Sequence, residues 1–170
     1  AISHKSMIDE IIEVIKLANQ DKSIRALILT GAGKSFCAGG NIKDMRDKAD
    51  MFSGDIESIE RGYKEGIQRI PLAFAQLEVP IIAAVNGAAV GAGFDITMMW
   101  DIRIGSKSAR FAESFVKLGI IPGDGGSWFL PRIIGQARAA QMALTGAMIN
   151  AKTALDWGII SESLKPEDLL

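Results

Sequence analysis

Two short apolar runs, "IRALILTG" (24–31) and "VPIIAAVNG" (79–87), each close on a glycine and are separated by sequence of helical character. Aliphatic residues set without polar alternation predict strands covered on both faces, the signature of a parallel sheet flanked by helices. Before the first run, "SMIDEIIEVIKLANQ" repeats Ile8, Ile11, Ile12 and Ile15 at helical spacing behind a candidate N-cap at Ser6. Between the runs, "SIERGYKEGIQRIPLAFAQL" predicts a helix kinked or broken at Pro71, and "IKDMRDKADMFSGDIESIE" predicts a mobile surface loop leading into it. Further on, "DIRIGS" and "ARFAE" predict short strands. "FDITMMW", "GSWFLPRIIG", "QARAAQMALTG" and "NAKTALDWG" predict helices. The fold class is therefore α/β.

The chain of 170 residues suits one domain with a substantial core, and 48% apolar residues make it globular in composition. A formal charge of −1 gives no electrostatic reason to expect nucleic acid or an anionic membrane as partner. Asn86 and Asp95 interrupt the longest apolar region, so no membrane span is expected. The single cysteine, Cys37, excludes an internal disulfide and fits a reducing, cytoplasmic setting.

Several motifs fail on counting. "GAGKS" (31–35) would be a phosphate loop only with glycine where Ile28 stands. A dinucleotide fingerprint would need glycine at Phe36 or at Ile96. A nucleophile elbow at Ser35 would need glycine at Cys37. One histidine, His4, and one cysteine leave little for a metal site or a Ser-His pair, so no metal is expected and Cys37 reads as a small packing residue. Carboxylates remain for proton chemistry.

Two glycine-rich segments, "SFCAGGNIKDM" (35–45) and "VNGAAVGAGFDITMMW" (85–100), each follow a predicted strand. Stripped of side chains, such loops let a ligand approach and turn N–H groups outward. Two amides from separate loops could hold a developing enolate oxygen, with Asp95 one turn further in to move a proton. Tight packing through Gly91 and Gly93, with Asp95 as a structural helix residue, is the alternative that spacing leaves open.

"SFCAGGNIKDM", "PIIAAVNGAAVGAGFDITMMWDIRI" and "RFAESFVKLGIIPGDGGSWFLPRIIG" resemble the signature blocks of the crotonase (enoyl-CoA hydratase/isomerase) superfamily in order and spacing, and "ALTGAMINAKTALDWGII" continues the match. The resemblance implies a spiral of ββα units, assembled as a trimer or dimer of trimers, acting on an acyl-CoA with no cofactor besides the coenzyme A of the substrate. It implies that residues 1–170 form one crotonase-fold core that starts and stops inside the full fold, without the N-terminal strand pair and the C-terminal helical region. By the same resemblance, the backbone N–H groups of Gly40 and Ala92 form the oxyanion hole and Asp95 faces the thioester. Ala38, Asn41 and Ile42 belong to the loop lining the CoA pocket, with Phe115 and Gly119 also in the substrate region. The family's second catalytic glutamate aligns with Phe115, which carries no proton. Glu113, two residues earlier, would share the face of an extended strand, and Asp124 in "PGDGG" is the other candidate. Hydration and double-bond isomerisation both stay open, and a catalytically silent acyl-CoA-binding or scaffold protein is the alternative.

Overall fold

The computed structural model describes residues 2–170. The first helix, α1 (Lys5–Gln20), leads into β1 (Leu27–Thr30), α2 (Ile42–Asp47), α3 (Ile56–Glu65) and α4 (Arg69–Phe74). Next come β2 (Ile81–Val85), β3 (Ala88–Val90), α5 (Ala92–Thr97), β4 (Ile102–Ser106) and β5 (Arg110–Ala112). The chain continues through α6 (Gly126–Ile134), α7 (Gln136–Thr145), β6 (Ile149–Asn150), α8 (Ala151–Trp157) and β7 (Glu162–Leu164). One sheet has the order β1-β2-β4-β7 and is parallel throughout; the other runs β3-β5-β6, parallel and then antiparallel. β2 sits centrally, with Ile81 paired to Leu27 on one side and Ile82 to Ile102 on the other. Its unbroken apolar sequence suits that position, with Ile81, Ala83, Ala84 and Val85 buried and Ile82 partly so.

Helices close the core from both ends of the chain. α1 buries Ile8, Ile15 and Ala18 and packs on α4. Trp100, fully buried, stands edge-on to Phe36 and Phe74. The structure corrects three local expectations. α1 begins one residue before Ser6, and Ser6 Oγ instead meets His4 Nδ1 at 2.9 Å. The long helix breaks at Gly66, between α3 and α4, while Pro71 is the third residue of α4, where its missing N–H has no intrahelical acceptor to lose. The charged stretch from Ile42 is not a loop. Asn41 caps α2 by accepting the Lys43 N–H, a 3-10 turn follows at Asp50–Phe52, and Asp55 caps α3 through the Ser58 N–H.

The two glycine-rich segments pack on each other. A Cβ at Gly87 would strike the Lys34 carbonyl, and one at Gly93 would strike Cys37. That contact, with the Cys37 thiol pushed up by burial, makes Cys37 a packing residue. Asn86 then ties the strand ends together. Its side chain accepts from the Gly31 N–H at 3.1 Å and donates to the Gly31 and Gly33 carbonyls at 3.0 and 2.9 Å. Asn86→Ala should leave these half-buried groups short of partners and cost roughly 2 kcal/mol of stability, read as a lower urea midpoint. An unchanged midpoint would show that water replaces the side chain fully.

Candidate active site

The first glycine loop reaches the site because its backbone pairs with β3. The Phe36 and Cys37 N–H groups both donate to the Ala88 carbonyl, and the Val90 N–H donates back to Cys37. Gly39, at φ +84°, lies against the Val90 carbonyl and the Ala92 nitrogen, a closeness that any Cβ would prevent. Gly91, at φ +55°, turns the chain from β3 into α5. Neither the Gly40 nor the Ala92 N–H donates to an acceptor among the described residues. Both residues line one cavity of about 270 Å³, together with Ala38, Ile42, Phe115 and Asp124. A larger cleft of about 740 Å³ adjoins it, sharing Ala38, Gly39, Gly40 and Ile42 and taking in Asn41 and Lys43 as well. Gly119 stands apart from the cavity wall, ending a 3-10 turn (Phe115–Leu118) in the left-handed conformation.

The three carboxyl groups singled out in the sequence come together, but not as the sequence suggests. Asp95, Glu113 and Asp124 are all buried, at 0%, 1% and 4% exposure. Only Asp124 lines the cavity that holds Gly40 and Ala92. Asp95 projects from α5 toward the start of α6, so its carboxyl lies behind the wall rather than in it. Its Oδ2 accepts the Asp124 N–H at 3.3 Å. A Cβ on Gly126, the first residue of α6, would collide with Asp95 Oδ1 and come within 2.7 Å of Glu113 Oε1. Gly126 therefore makes the room in which the two carboxyls meet. Glu113 and Phe115 do not share a strand face, because β5 ends at Ala112 and a 3-10 turn begins at Phe115. Phe115 faces the cavity; Glu113 lines a second one behind it.

Burial sets the protonation of this cluster. It raises the Asp95 carboxyl, against the opposing pull of its bond with Glu113 and of the Gly126 and Asp124 amides. The start of α6 thus favours the charged form, as a helix N-terminus does, and burial outweighs it. Glu113 is pushed up to about 10, by burial first and then by the charge of Asp95, its bond to Asp95 and the charge of Asp124. Asp124 is pushed up to about 7, by burial and then by Asp95. Asp95 Oδ1 and both Glu113 oxygens have no donor in the structure. Two carboxylates are acceptors only, so a shared proton is what lets these groups bond.

Sequence reasoning passed over Tyr63, the single tyrosine, which lines the cavity half-buried; burial and the charge of Asp124 raise its phenol. Nothing local marks it, since it sits in an ordinary amphipathic helix. Among the described residues, no group of three or more His, Cys, Asp or Glu side chains is placed to hold a metal ion, and no helix is long and apolar enough to cross a membrane.

The parallel sheet, the two interlocked glycine loops and the cavity over them define an α/β protein of the crotonase type. The chain belongs to the enoyl-CoA hydratase/isomerase family, which it matches over residues 1–170. It is 41% identical over 161 residues to 1,2-epoxyphenylacetyl-CoA isomerase of Escherichia coli, covering 94% of this chain and 60% of that protein. It is 41% identical over 160 residues to short-chain-enoyl-CoA hydratase of Clostridium acetobutylicum, covering 92% of this chain and 58% of the relative. Among solved structures, the enoyl-CoA hydratase of Bacillus anthracis superposes with a TM-score of 0.86 at 32% identity, over 96% of this chain and 61% of the other. The chain thus spans about 60% of the length of the relatives it matches.

Proposed function

We propose that this chain carries the active site of an enzyme that moves a proton at C2 of an acyl-CoA thioester through an enolate, and that its reaction is double-bond isomerisation. One observation carries the reading: a single carboxyl group, Asp124, lines the cavity that also holds the free Gly40 and Ala92 amides. The thioester oxygen would accept from those two N–H groups, which stabilise negative charge as it develops on oxygen. Asp124 would take a proton from C2 and return it at C4, so that the C2–H bond breaks, the electron pair passes into the enolate, and a C4–H bond forms. Hydration calls for two carboxyl groups working on one water; Asp124 is the one carboxyl in the cavity wall, and the residue that by resemblance aligns with the family's second glutamate is Phe115. Ala38 and Ile42 would flank the thioester, with Asn41 and Lys43 on the adjoining cleft placed for the rest of coenzyme A. No cofactor beyond that coenzyme A enters the reading. Assembly as a trimer or dimer of trimers in the cytoplasm belongs to the same proposal; the exposed Trp128, Leu144 and Met148 offer apolar surface for such contacts.

The test is a 3-enoyl-CoA panel, following conversion to the conjugated 2-enoyl thioester, beside NMR of C2 proton exchange on saturated acyl-CoAs in D₂O. Conversion with exchange is expected. Exchange together with water addition would replace isomerisation by hydration. Binding with neither exchange nor conversion would overturn enolate chemistry and leave a silent acyl-CoA-binding protein.

A further inference from the structure

We propose that Asp95 is a positioning residue for the reaction: from behind the cavity wall its carboxyl, braced by Glu113, holds Asp124 in place by the backbone. This rests on the functional reading above and goes beyond it.

Asp124 stands in a segment with little stiffness of its own. Gly123 and Gly125 flank it, Gly125 at φ +112°, and a Cβ at Gly123 would meet nothing within 4 Å. The segment is fastened at its two ends. Ser127 Oγ donates to the Pro122 carbonyl at 3.1 Å, and the Trp128 and Phe129 N–H groups both donate to the Gly125 carbonyl at 3.0 Å. From Ile121 to Gly125, the Asp124 N–H is the one backbone donor with a partner among the described residues, and that partner is Asp95 Oδ2 at 3.3 Å. Gly125, the residue before α6, has no side chain to cap the helix, and the Gly126 amide also bears on the Asp95 carboxyl. Asp95 thus does from α5 what an N-cap side chain would do from within the loop.

Glu113 completes the hold. Its Oε1 lies beside Asp95 Oδ1 over Gly126, and neither residue is more than 1% exposed. Two buried carboxyls in contact keep one proton between them. Glu113 therefore donates to Asp95, and one negative charge remains beside the Asp124 amide. Around Asp124 stand that charge from α5, Glu113 behind it and the Tyr63 phenol of α3. Among the described residues, no Lys, Arg or His lines the cavity of Asp124 or the one that Glu113 lines. Asp95 acts twice through Asp124: it fixes the place of that residue and delays its ionisation.

The experiment compares Asp95→Asn, Asp95→Ala and Glu113→Gln with the parent on a 3-enoyl-CoA, reading kcat, KM and the pH profile of kcat/KM. Asparagine keeps an oxygen for the Asp124 N–H but loses the charge, while burial still holds Glu113 protonated. Its kcat should fall only severalfold. Its inflection should move down from about 7 by about one unit, short of the ordinary value because burial, the larger cause, remains. Asp95→Ala loses the tether as well, so its kcat should fall about tenfold or more below that of Asp95→Asn, with KM nearly unchanged. Glu113→Gln still offers Asp95 a donor and leaves its charge, so its inflection should stay with that of the parent. A merely structural role would not separate these two profiles, and they carry the test alone should Asp95→Ala fail to fold. An inflection that moves in neither variant or equally in both, or Asp95→Ala no slower than Asp95→Asn, overturns the positioning role alone. Asp95→Asn slower than Asp124→Asn makes Asp95 the proton carrier and overturns it too. A parent that neither converts the probe nor exchanges C2 protons overturns the functional reading and this inference with it.

Discussion

Asp124→Asn should lower turnover of the 3-enoyl thioester by about a hundredfold or more, the usual contribution of a positioned acid–base group, with KM nearly unchanged. The substitution keeps the shape of the cavity floor and leaves the Gly40 and Ala92 amides in place, so binding survives while the proton acceptor is gone. Asp95→Asn should cost less, because Asp95 lies behind the wall and meets substrate only through Asp124. The pH profile adds a second signature. Asp124 must be ionised to accept the C2 proton, and its carboxyl is pushed up to about 7. Parent kcat/KM should therefore rise as pH increases toward about 7 and level off above it, whereas an ordinary surface aspartate would already be ionised near pH 4. An Asp95→Asn defect larger than that of Asp124→Asn would return the proton transfer to Asp95, and a profile flat from pH 5 to 9 would remove Asp124 as the base.

That ranking of the carboxylates was not legible in the sequence, and the reason is physical. Residue type and spacing picked out Asp95, Glu113 and Asp124, and the structure gathers all three within one buried cluster. Which of them reaches a ligand depends on where α6 docks. A nine-residue helix starting at Gly126 can approach Asp95 and Glu113 only because glycine leaves room there. No pattern along "PGDGGS" encodes that approach to α5. The same limit explains Glu113 and Phe115: alternation holds only while the strand continues, and β5 stops at Ala112. What was legible came from local rules. The apolar runs became β1 and β2, paired in parallel, although β1 is not covered on both faces as its lack of alternation predicted, since Ile28 is 63% exposed. The Ile8–Ile15 spacing gave the buried face of α1. The glycine segments carried two meanings at once. Gly93 and Gly87 serve the packing of one loop on the other, while Gly39 clears the approach to Ala92. Spacing alone could not divide those roles.

Stability should fall as pH rises from 5 to 9, opposite to the trend of a protein held together by exposed ion pairs. Glu113 is raised to about 10 and Asp124 to about 7 in the folded chain, and burial raises Asp95 as well. Their unfolded values are near 4. A group raised on folding gives its full stability below the unfolded value and loses it as pH climbs through the folded one, since the unfolded chain releases the proton first. Glu113 alone then costs on the order of 3 kcal/mol between pH 5 and 7, a large part of the few kcal/mol per domain that separate folded from unfolded protein. Exposed carboxylates do not offset this. Asp9, Asp21, Asp47, Asp55 and Glu60 are held below their ordinary values by Lys5 and Arg69, Ser23, Arg46, Ser58 and Lys64 respectively. Their contribution is lost only on acidification below the window and is constant within it. Urea unfolding at pH 5, 7 and 9 is the measurement. The parent midpoint should drop steadily, and Glu113→Gln, neutral at every pH, should flatten the decline and unfold at higher urea than the parent at pH 9. A parent midpoint that rises from pH 5 to 9 would mean that the cluster is ionised and solvated in the folded protein, and the shared proton between Asp95 and Glu113 would fall with it.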